Sequence, residues 1–431
     1  MQQEKIKILF PDVTGVHREV EIFLHQKPDC LYGFETSVDG SSLPDYASVE
    51  DGDLFLKPAS GKFVDLSSYG GGLLVVGAVY FSKGERHYLD TRLKAEETSK
   101  YLFEHGLEAL VGYELEFFIM RKIKHYLDSR RQLFYAKPVE NTCLIRQGNG
   151  KYFTSIHSRV DEILEETTTA LTRAGIAPLK IHRENGVFNQ YEISFRPYPL
   201  LEACDNIILS IKTVREVSKA KELTAVFMPK PFTDDYGNGL HLHLSLWVGA
   251  RNILFEDGAL SQEGRYFIGG ILQHARSLAA FTNPSLNSYK RLAPGFEAPV
   301  HIAWGYGNRT AMVRIPRNGE SIEARNPDAS MNPYLGVPAL ILAGMDGLRK
   351  KIDPGDAVEF NLYEKQGFSN IRRLPLSLKE ALEELMSDYE YLKPVFSKSF
   401  IEKYVELKMR EVVAERTLPS VLEYQLLEHI S

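Results

Sequence analysis

The chain predicts an α+β fold in two parts. Three observations carry this reading. Its 431 residues exceed the ~150 residues of a typical domain; the segment up to about Glu85 reads almost entirely as strands; and from Asp90 onward helical patterns alternate with strands. The composition, 44% hydrophobic and 25% charged, is that of a soluble globular chain and excludes a disordered or fibrous one.

Taken in order, Ile6–Phe10 and Val20–Leu24 flank the turn sequence Asp12-Val-Thr-Gly15, and Leu73–Phe81 is rich in β-branched and aromatic residues, so each predicts a strand. The longest uncharged stretch, Leu66–Ser82, is broken by glycines and serines and reads as a strand pair rather than a membrane span. Asp90 as N-cap and Gly106 as C-cap bound a helix, and the domain boundary is placed here, giving residues 1–86 and 87–431. Further helices are predicted over Ser158–Ala174, Leu200–Glu222 and Gln262–Phe281, where apolar residues such as Ile208, Ile211, Val214 and Val217 recur at three- and four-residue steps. Charge-rich helices follow over Ser377–Tyr391, Ser397–Val412 and Pro419–Ile430.

With 51 Lys and Arg against 57 Asp and Glu, the net charge is −6, which offers no general excess of positive charge for nucleic acid. Cys30, Cys143 and Cys204 are odd in number, far apart and without a C-x-x-C pair, so a reducing cytoplasm is the expected home and no disulfide framework is indicated. The N-terminus lacks the apolar core of a signal peptide, and no membrane association is expected.

Two strands carry the chemistry. In Val111-Gly-Tyr-Glu114-Leu-Glu116-Phe-Phe118, alternation puts Glu114 and Glu116 on one face and Leu115 and Phe117 on the other, a pattern that a solvated edge strand shares. In Gly239-Leu-His241-Leu-His243-Leu-Ser245-Leu246, two histidines and a serine stand opposite a continuous leucine face, as the floor of a polar pocket would. Ser321-Ile-Glu323-Ala-Arg325 repeats the arrangement, and Glu184 and Glu192 bracket Asn185–Tyr191. Arg291, Arg309, Arg314 and Arg325 cluster in the same part of the chain; guanidinium groups bind oxyanions bidentately in phosphoryl-transfer sites, although solvated arginines are commoner. No P-loop, complete G-x-G-x-x-G or H-E-x-x-H occurs.

Read together, Asp39-Gly-Ser-Ser42, Phe227-Met-Pro-Lys-Pro231 followed by Gly237-Asn-Gly-Leu-His241-Leu-His243, Asn283 to Pro299 with its Lys290-Arg291-Leu-Ala-Pro-Gly-Phe-Glu297 core, and Asn332-Pro-Tyr-Leu335 resemble the glutamine synthetase family of bacterial and archaeal type I enzymes. The resemblance spans nearly the whole chain. It implies an N-terminal β-grasp domain, a catalytic domain whose antiparallel sheet lines a funnel, six-subunit rings stacked as a dodecamer, and active sites between neighbouring subunits.

By the same resemblance, Glu116, Glu184 and Glu192 are expected to bind one divalent cation, and Glu114, His241 and Glu323 another. Five carboxylates and one imidazole form an oxygen-rich set that favours Mg²⁺ or Mn²⁺. His243 and Ser245 match nucleotide contacts for ATP; Gly237, Arg291 and Arg325 match contacts to glutamate; Arg309 and Arg314 match groups facing the transferred phosphoryl. Asp39 from a neighbouring subunit, Tyr152, Glu184 and the flap residue Glu297 match the acidic pocket that binds ammonium. The implied reaction is ATP-dependent ligation of ammonia to the γ-carboxylate of glutamate through γ-glutamyl phosphate. Three positions and one segment depart from the family pattern: Tyr236 replaces the usual Asn, Ser321 an Arg, Arg183 the second His of His-His-Glu, and Lys57-Pro-Ala-Ser60 an acidic segment. Tyr236 and Ser321 leave room for an alternative ligase acting on an organic amine. A non-catalytic structural ring is the other alternative, and the complete ligand set argues against it.

Overall fold

Alternating residues fold the start of the chain into Glu4–Pro11 (β1) and His17–Leu24 (β2). The two pair antiparallel around a turn in which Asp12 Oδ1 accepts from the Thr14 and Val16 amides at 2.9 and 3.2 Å. Thr36–Asp39 (β3), Asp53–Asp65 (β4) and Leu73–Phe81 (β5) complete a five-stranded sheet in the order β2-β1-β5-β4-β3, with β1 and β5 parallel. The computed structural model describes residues 4–25, 31, 33–81, 84–127, 132–139, 151–154, 158–317, 319–364, 371–418 and 420.

The strand pair expected over Leu66–Ser82 is one strand, β5, preceded by a turn. Gly70 and Gly72 hold φ of +72° and +70°, and a Cβ on Gly72 would lie 2.3 Å from the Lys5 carbonyl oxygen, so the glycines bend the chain where a second strand would need side chains.

Asp90 caps the helix Thr91–Glu104 (α1) by accepting from the Arg92 amide. A second sheet, ten-stranded, is built around the 20-residue strand Glu108–Leu127 (β6). Gln132–Pro138 (β7) pairs with its far end; Pro178–Arg183 (β8) and Gln190–Pro199 (β9) lie on one flank, and Thr224–Val226 (β10) pairs further along. Leu240–Val248 (β11) occupies the other flank, joined by Arg251–Asn252 (β12). Phe255–Glu256 (β13) and Ala259–Leu260 (β14) form a separate hairpin. Trp304–Tyr306 (β15), Val313–Ile315 (β16) and Ile322–Ala324 (β17) extend the ten-stranded sheet beyond β11.

Helices Ser158–Arg173 (α2) and Leu200–Ala220 (α3) match expectation closely. The single helix expected over Gln262–Phe281 is two, Gln262–Gln273 (α4) and Ala275–Thr282 (α5). His274 stands at the break, its ring nitrogens 3.0 Å from Asp346 and 2.9 Å from Asp388, contacts that fix it between distant segments. A short helix, Ser288–Arg291 (α6), carries Arg291.

Pro333–Lys350 (α7) has no counterpart among the expected helices. It is buried nearly all round, so it lacks an amphipathic period, and Pro338 with several glycines reads as a breaker. The glycines serve packing instead: a Cβ on Gly344 or Gly347 would come within 2.2 Å of Phe267 or the Tyr266 carbonyl, so only glycine lets α7 lie this close to α4. Leu378–Ser387 (α8) and Lys398–Arg416 (α9) follow; the helix expected over Pro419–Ile430 lies, apart from Ser420, outside the described residues. Among the described residues no helix is long and apolar enough to cross a membrane.

One apolar core runs from Ile8 and Val75 through Ile208 and Ile211 of α3 to Leu115 and Leu244. Beneath it, Arg92 of α1 binds Asp205 of α3 with two hydrogen bonds of 2.9 Å, and Tyr334 of α7 donates to the same carboxylate at 2.6 Å. All three side chains are buried. Because removing one partner strands the other charge, Arg92→Met is expected to lower unfolding stability by about 3 kcal/mol, and Arg92→Met with Asp205→Leu by less. Urea midpoints at fixed slope check this.

Candidate active site

Strand register brings the polar positions together. His241 lies opposite Glu114, Glu116 opposite Glu192, and Glu323 opposite both His243 and Arg314; His182 of β8 also pairs with Glu192. Directly paired residues project to the same face, so these side chains share one side of the sheet. Leu115, Phe117, Leu240, Leu242 and Leu244 are fully buried on the other. The pocket floor expected from alternation in two strands is therefore a continuous, carboxylate-rich polar surface drawn from six.

Its groups are tightly interlocked. Glu114 lies 3.1 Å from His241 Nδ1 and 3.3 Å from His243 Nε2; burial raises its pKa, but the two imidazoles outweigh that and hold it well below the usual carboxylate range. Glu323 accepts from Arg325 at 2.6 Å and from Arg314 at 2.5 Å. Against a burial penalty, Arg325 in particular pulls the Glu323 carboxyl down to about 2. On the far side, burial and repulsion from Glu116 push Glu184 up to about 8 although Lys151 Nζ sits 2.5 Å away. Burial opposes ionisation of Glu192 too, and His182 at 3.2 Å nevertheless brings it below the ordinary value.

Three sets of donor atoms each fall within 4.8 Å of one another: Glu114, Glu192 and His241; Glu114, His243 and Glu323; and His182, Glu184 and Glu192. All six expected ligands lie on this surface, with Glu116 Oε2 accepting from the Gly239 amide at 2.6 Å. The grouping differs from the expected triads: His243 and His182 enter, Glu116 falls in none of the three sets, and Glu192 shares one with Glu114 and His241. Sequence reading passed over His182, though it precedes Glu184 by the same two-residue step that marks His241 and His243. Lys151 gives no comparable signal, because it reaches Glu184 from a distant part of the chain. Carboxylate oxygens dominate all three sets, which suits a hard divalent cation.

The cleft above these groups is lined by Glu116, Glu184, Tyr236, Gly237, Glu297 and Arg309, among others. Arg325 and Arg291, 1% and 3% exposed, form one wall. Arg325 is paired with Glu323. Arg291 instead donates to the Asn326 and Arg325 carbonyls at 2.9 and 3.2 Å, and no carboxylate lies within ion-pair distance of it among the described residues. Burial pulls its pKa below the ordinary arginine value. A desolvated guanidinium without a counter-ion, facing a cleft, is a ready partner for an anionic ligand.

The remaining expected site residues differ in position. Ser245 takes the Trp247 indole N–H at 2.9 Å, and Ser321, where the family pattern has Arg, lies 3.1 Å from His243 Nδ1. Tyr152 is 64% exposed and meets His182 edge-on, with ring centres 5.0 Å apart. Glu297 has φ +55° and accepts from Asn185 at 3.1 Å. Asp39 does not line the cleft of its own chain; its carboxylate is used locally, accepting from the Ser41 amide and from the Ser41 and Ser42 hydroxyls.

Residues 88–427 match the family model for the glutamine synthetase catalytic domain. The glutamine synthetase of Sulfolobus acidocaldarius is 36% identical over 98% of this chain and 95% of that protein, and that of Thermococcus kodakarensis 38% identical over 88% and 83%. Among solved structures, the cryo-EM Plasmodium falciparum glutamine synthetase superposes with a TM-score of 0.85 at 25% identity, over 98% of this chain and 95% of that one. A structure titled as a GmaS/ADP complex superposes with a TM-score of 0.84 at 25% identity, over 98% and 96%. Fold and acidic cleft thus define an ATP-dependent ligase. The chain belongs to the glutamine synthetase family.

Proposed function

We propose that the protein joins ammonia to the γ-carboxylate of glutamate at the expense of ATP, through γ-glutamyl phosphate. The observation that carries this is Arg291, which has no carboxylate partner among the described residues, beside a carboxylate-rich floor: an anionic substrate and cations are wanted in the same cleft. Arg291, Arg325 and the Gly237 backbone hold the amino acid; His243 and Ser245 contact the nucleotide; Arg309 and Arg314 face the phosphoryl group. Glu116, Glu184 and Glu192 on one side, and Glu114, His241 and Glu323 on the other, would hold two Mg²⁺ or Mn²⁺ ions, with His182 and His243 adjoining. Such ions, when bound there, would supply positive charge to offset that of the phosphate oxygens.

In the first step a γ-carboxylate oxygen attacks the γ-phosphorus of ATP and ADP leaves. Arg309 and Arg314 stabilise the charge that develops on the phosphoryl oxygens. In the second, amine nitrogen attacks the acyl carbon and phosphate departs. Tyr152, Glu184, Glu297 and a neighbouring subunit's Asp39 bind ammonium and take its proton. This division of labour assumes the family's paired six-membered rings, the five-stranded sheet serving as a β-grasp domain of residues 1–86 beside a catalytic domain of 87–431, in a cytoplasmic enzyme.

A second reading, ligation of an organic amine, draws on Tyr236, whose ring packs edge-on against Phe296 with centres 5.8 Å apart and gives the cleft an aromatic border. Ammonium is the expected acceptor because Asp39, Glu184 and Glu297 bring three carboxylates to the proposed ammonium pocket. Phosphate release with ammonium, methylamine, ethanolamine and putrescine at equal free-base concentrations tests this. A higher kcat/KM for any organic amine replaces the glutamine reading. The Tyr236 change is further expected to raise KM for glutamate, and Tyr236→Asn to lower it.

A further inference from the structure

We infer that Lys230 is a positioning residue that latches the flap carrying Glu297 to the loop carrying Tyr236. The inference rests on the reaction proposed above for the meaning of its kinetic consequences, but its geometry stands apart from that reaction. Lys230 is 8% exposed. Its ammonium lies 3.4 Å from the centre of the Phe296 ring and donates to the Asp235 carbonyl. No carboxylate lies within ion-pair distance of it among the described residues. Its backbone is held as well, since Asn287 accepts from the Lys230 amide at 2.6 Å and donates to its carbonyl at 3.0 Å.

Both contacts lead to the cleft. Phe296 immediately precedes Glu297, and Tyr236 meets the Phe296 ring from another side. The Asp235 carboxylate is turned away from Lys230, accepting from the Val187 and Tyr236 amides at 2.9 Å each. Val187 lies in the turn that holds Asn185, and Asn185 donates to Glu297. The circuit therefore closes: Lys230 to Phe296, Glu297 to Asn185, Val187 to Asp235, and Asp235 back to Lys230. Burial pulls the Lys230 pKa down to about 8, so this charge is costly where it stands. A cation–π contact and one carbonyl are what hold it there. Glu297 has a left-handed backbone conformation, which a non-glycine residue keeps only when its surroundings fix it.

The test compares Lys230→Met, Lys230→Arg and Phe296→Leu in the intact assembly. Because displacement of about 1 Å at a reacting group costs about 100-fold, Lys230→Met is expected to lower kcat/KM for glutamate and ammonium about that much. KM for ATP should stay within about twofold, and Lys230→Arg should recover most of the loss. Amide hydrogen exchange over residues 295–298 should quicken in both Lys230→Met and Phe296→Leu. Unchanged exchange there, or an equal loss toward ATP and glutamate, overturns the latch. If the wild-type protein makes no glutamine, the functional reading fails, and the exchange experiment alone decides whether the latch exists.

Discussion

Glu323→Gln is expected to lower kcat/KM for glutamine formation by about 10³-fold or more. The side chain is 1% exposed and receives Arg314 and Arg325 at once, with His241 Nδ1 3.8 Å away. Glutamine keeps the shape but removes the charge, so a cation donor is lost and two guanidinium groups are left facing each other across a neutral amide. The same loss should appear as weaker Mn²⁺ binding by calorimetry, and chelation of the wild-type protein should abolish turnover until Mg²⁺ or Mn²⁺ is restored. Activity within tenfold of wild type in the variant, or full activity after chelation, would remove Glu323 and the cations from the reaction.

The second large effect concerns a residue that does not line the cleft of its own chain. Asp39→Asn keeps the side-chain oxygen that caps the Gly40–Ser42 turn, so folding should be unaffected. Turnover with ammonium is nevertheless expected to fall at least about 100-fold, since an amide cannot accept the ammonium proton. If Asp39 serves a neighbour, rings reassembled from equal amounts of Asp39→Asn and Glu323→Gln subunits should recover about one quarter of wild-type activity, the fraction of sites that inherit both intact residues. Verified mixed rings without recovery would place Asp39 outside the site. Undiminished turnover in Asp39→Asn would end its role in deprotonation.

Strand alternation made much of the site legible because it needs only neighbouring residues. Glu114 and Glu116, or His241 and His243, declare a shared face within a few positions. His182 obeys the same rule two residues before Glu184, but one histidine near one glutamate is too common a pattern to mark a site by itself. Helix α7 was illegible for the opposite reason. A helix buried on every side shows no period, and its glycines make sense only beside Phe267 and Tyr266. The split at His274 likewise depends on Asp346 and Asp388, which no local pattern connects to it.

By itself the sequence determined the family, through ordered motifs, and the chemical character of the site: carboxylates, imidazoles and arginines in strands with one apolar face. Tertiary structure decided which of them act on one another. Register set Glu323 opposite Arg314, while the packing of helices and loops left Arg291 without a carboxylate partner among the described residues and joined Lys151 to Glu184 and Lys230 to Phe296. The physical reason is range. Periodicity and capping are fixed by residues a few positions apart, whereas the protonation and pairing of a buried charge depend on every group within several ångströms, and the fold gathers those groups from distant parts of the chain.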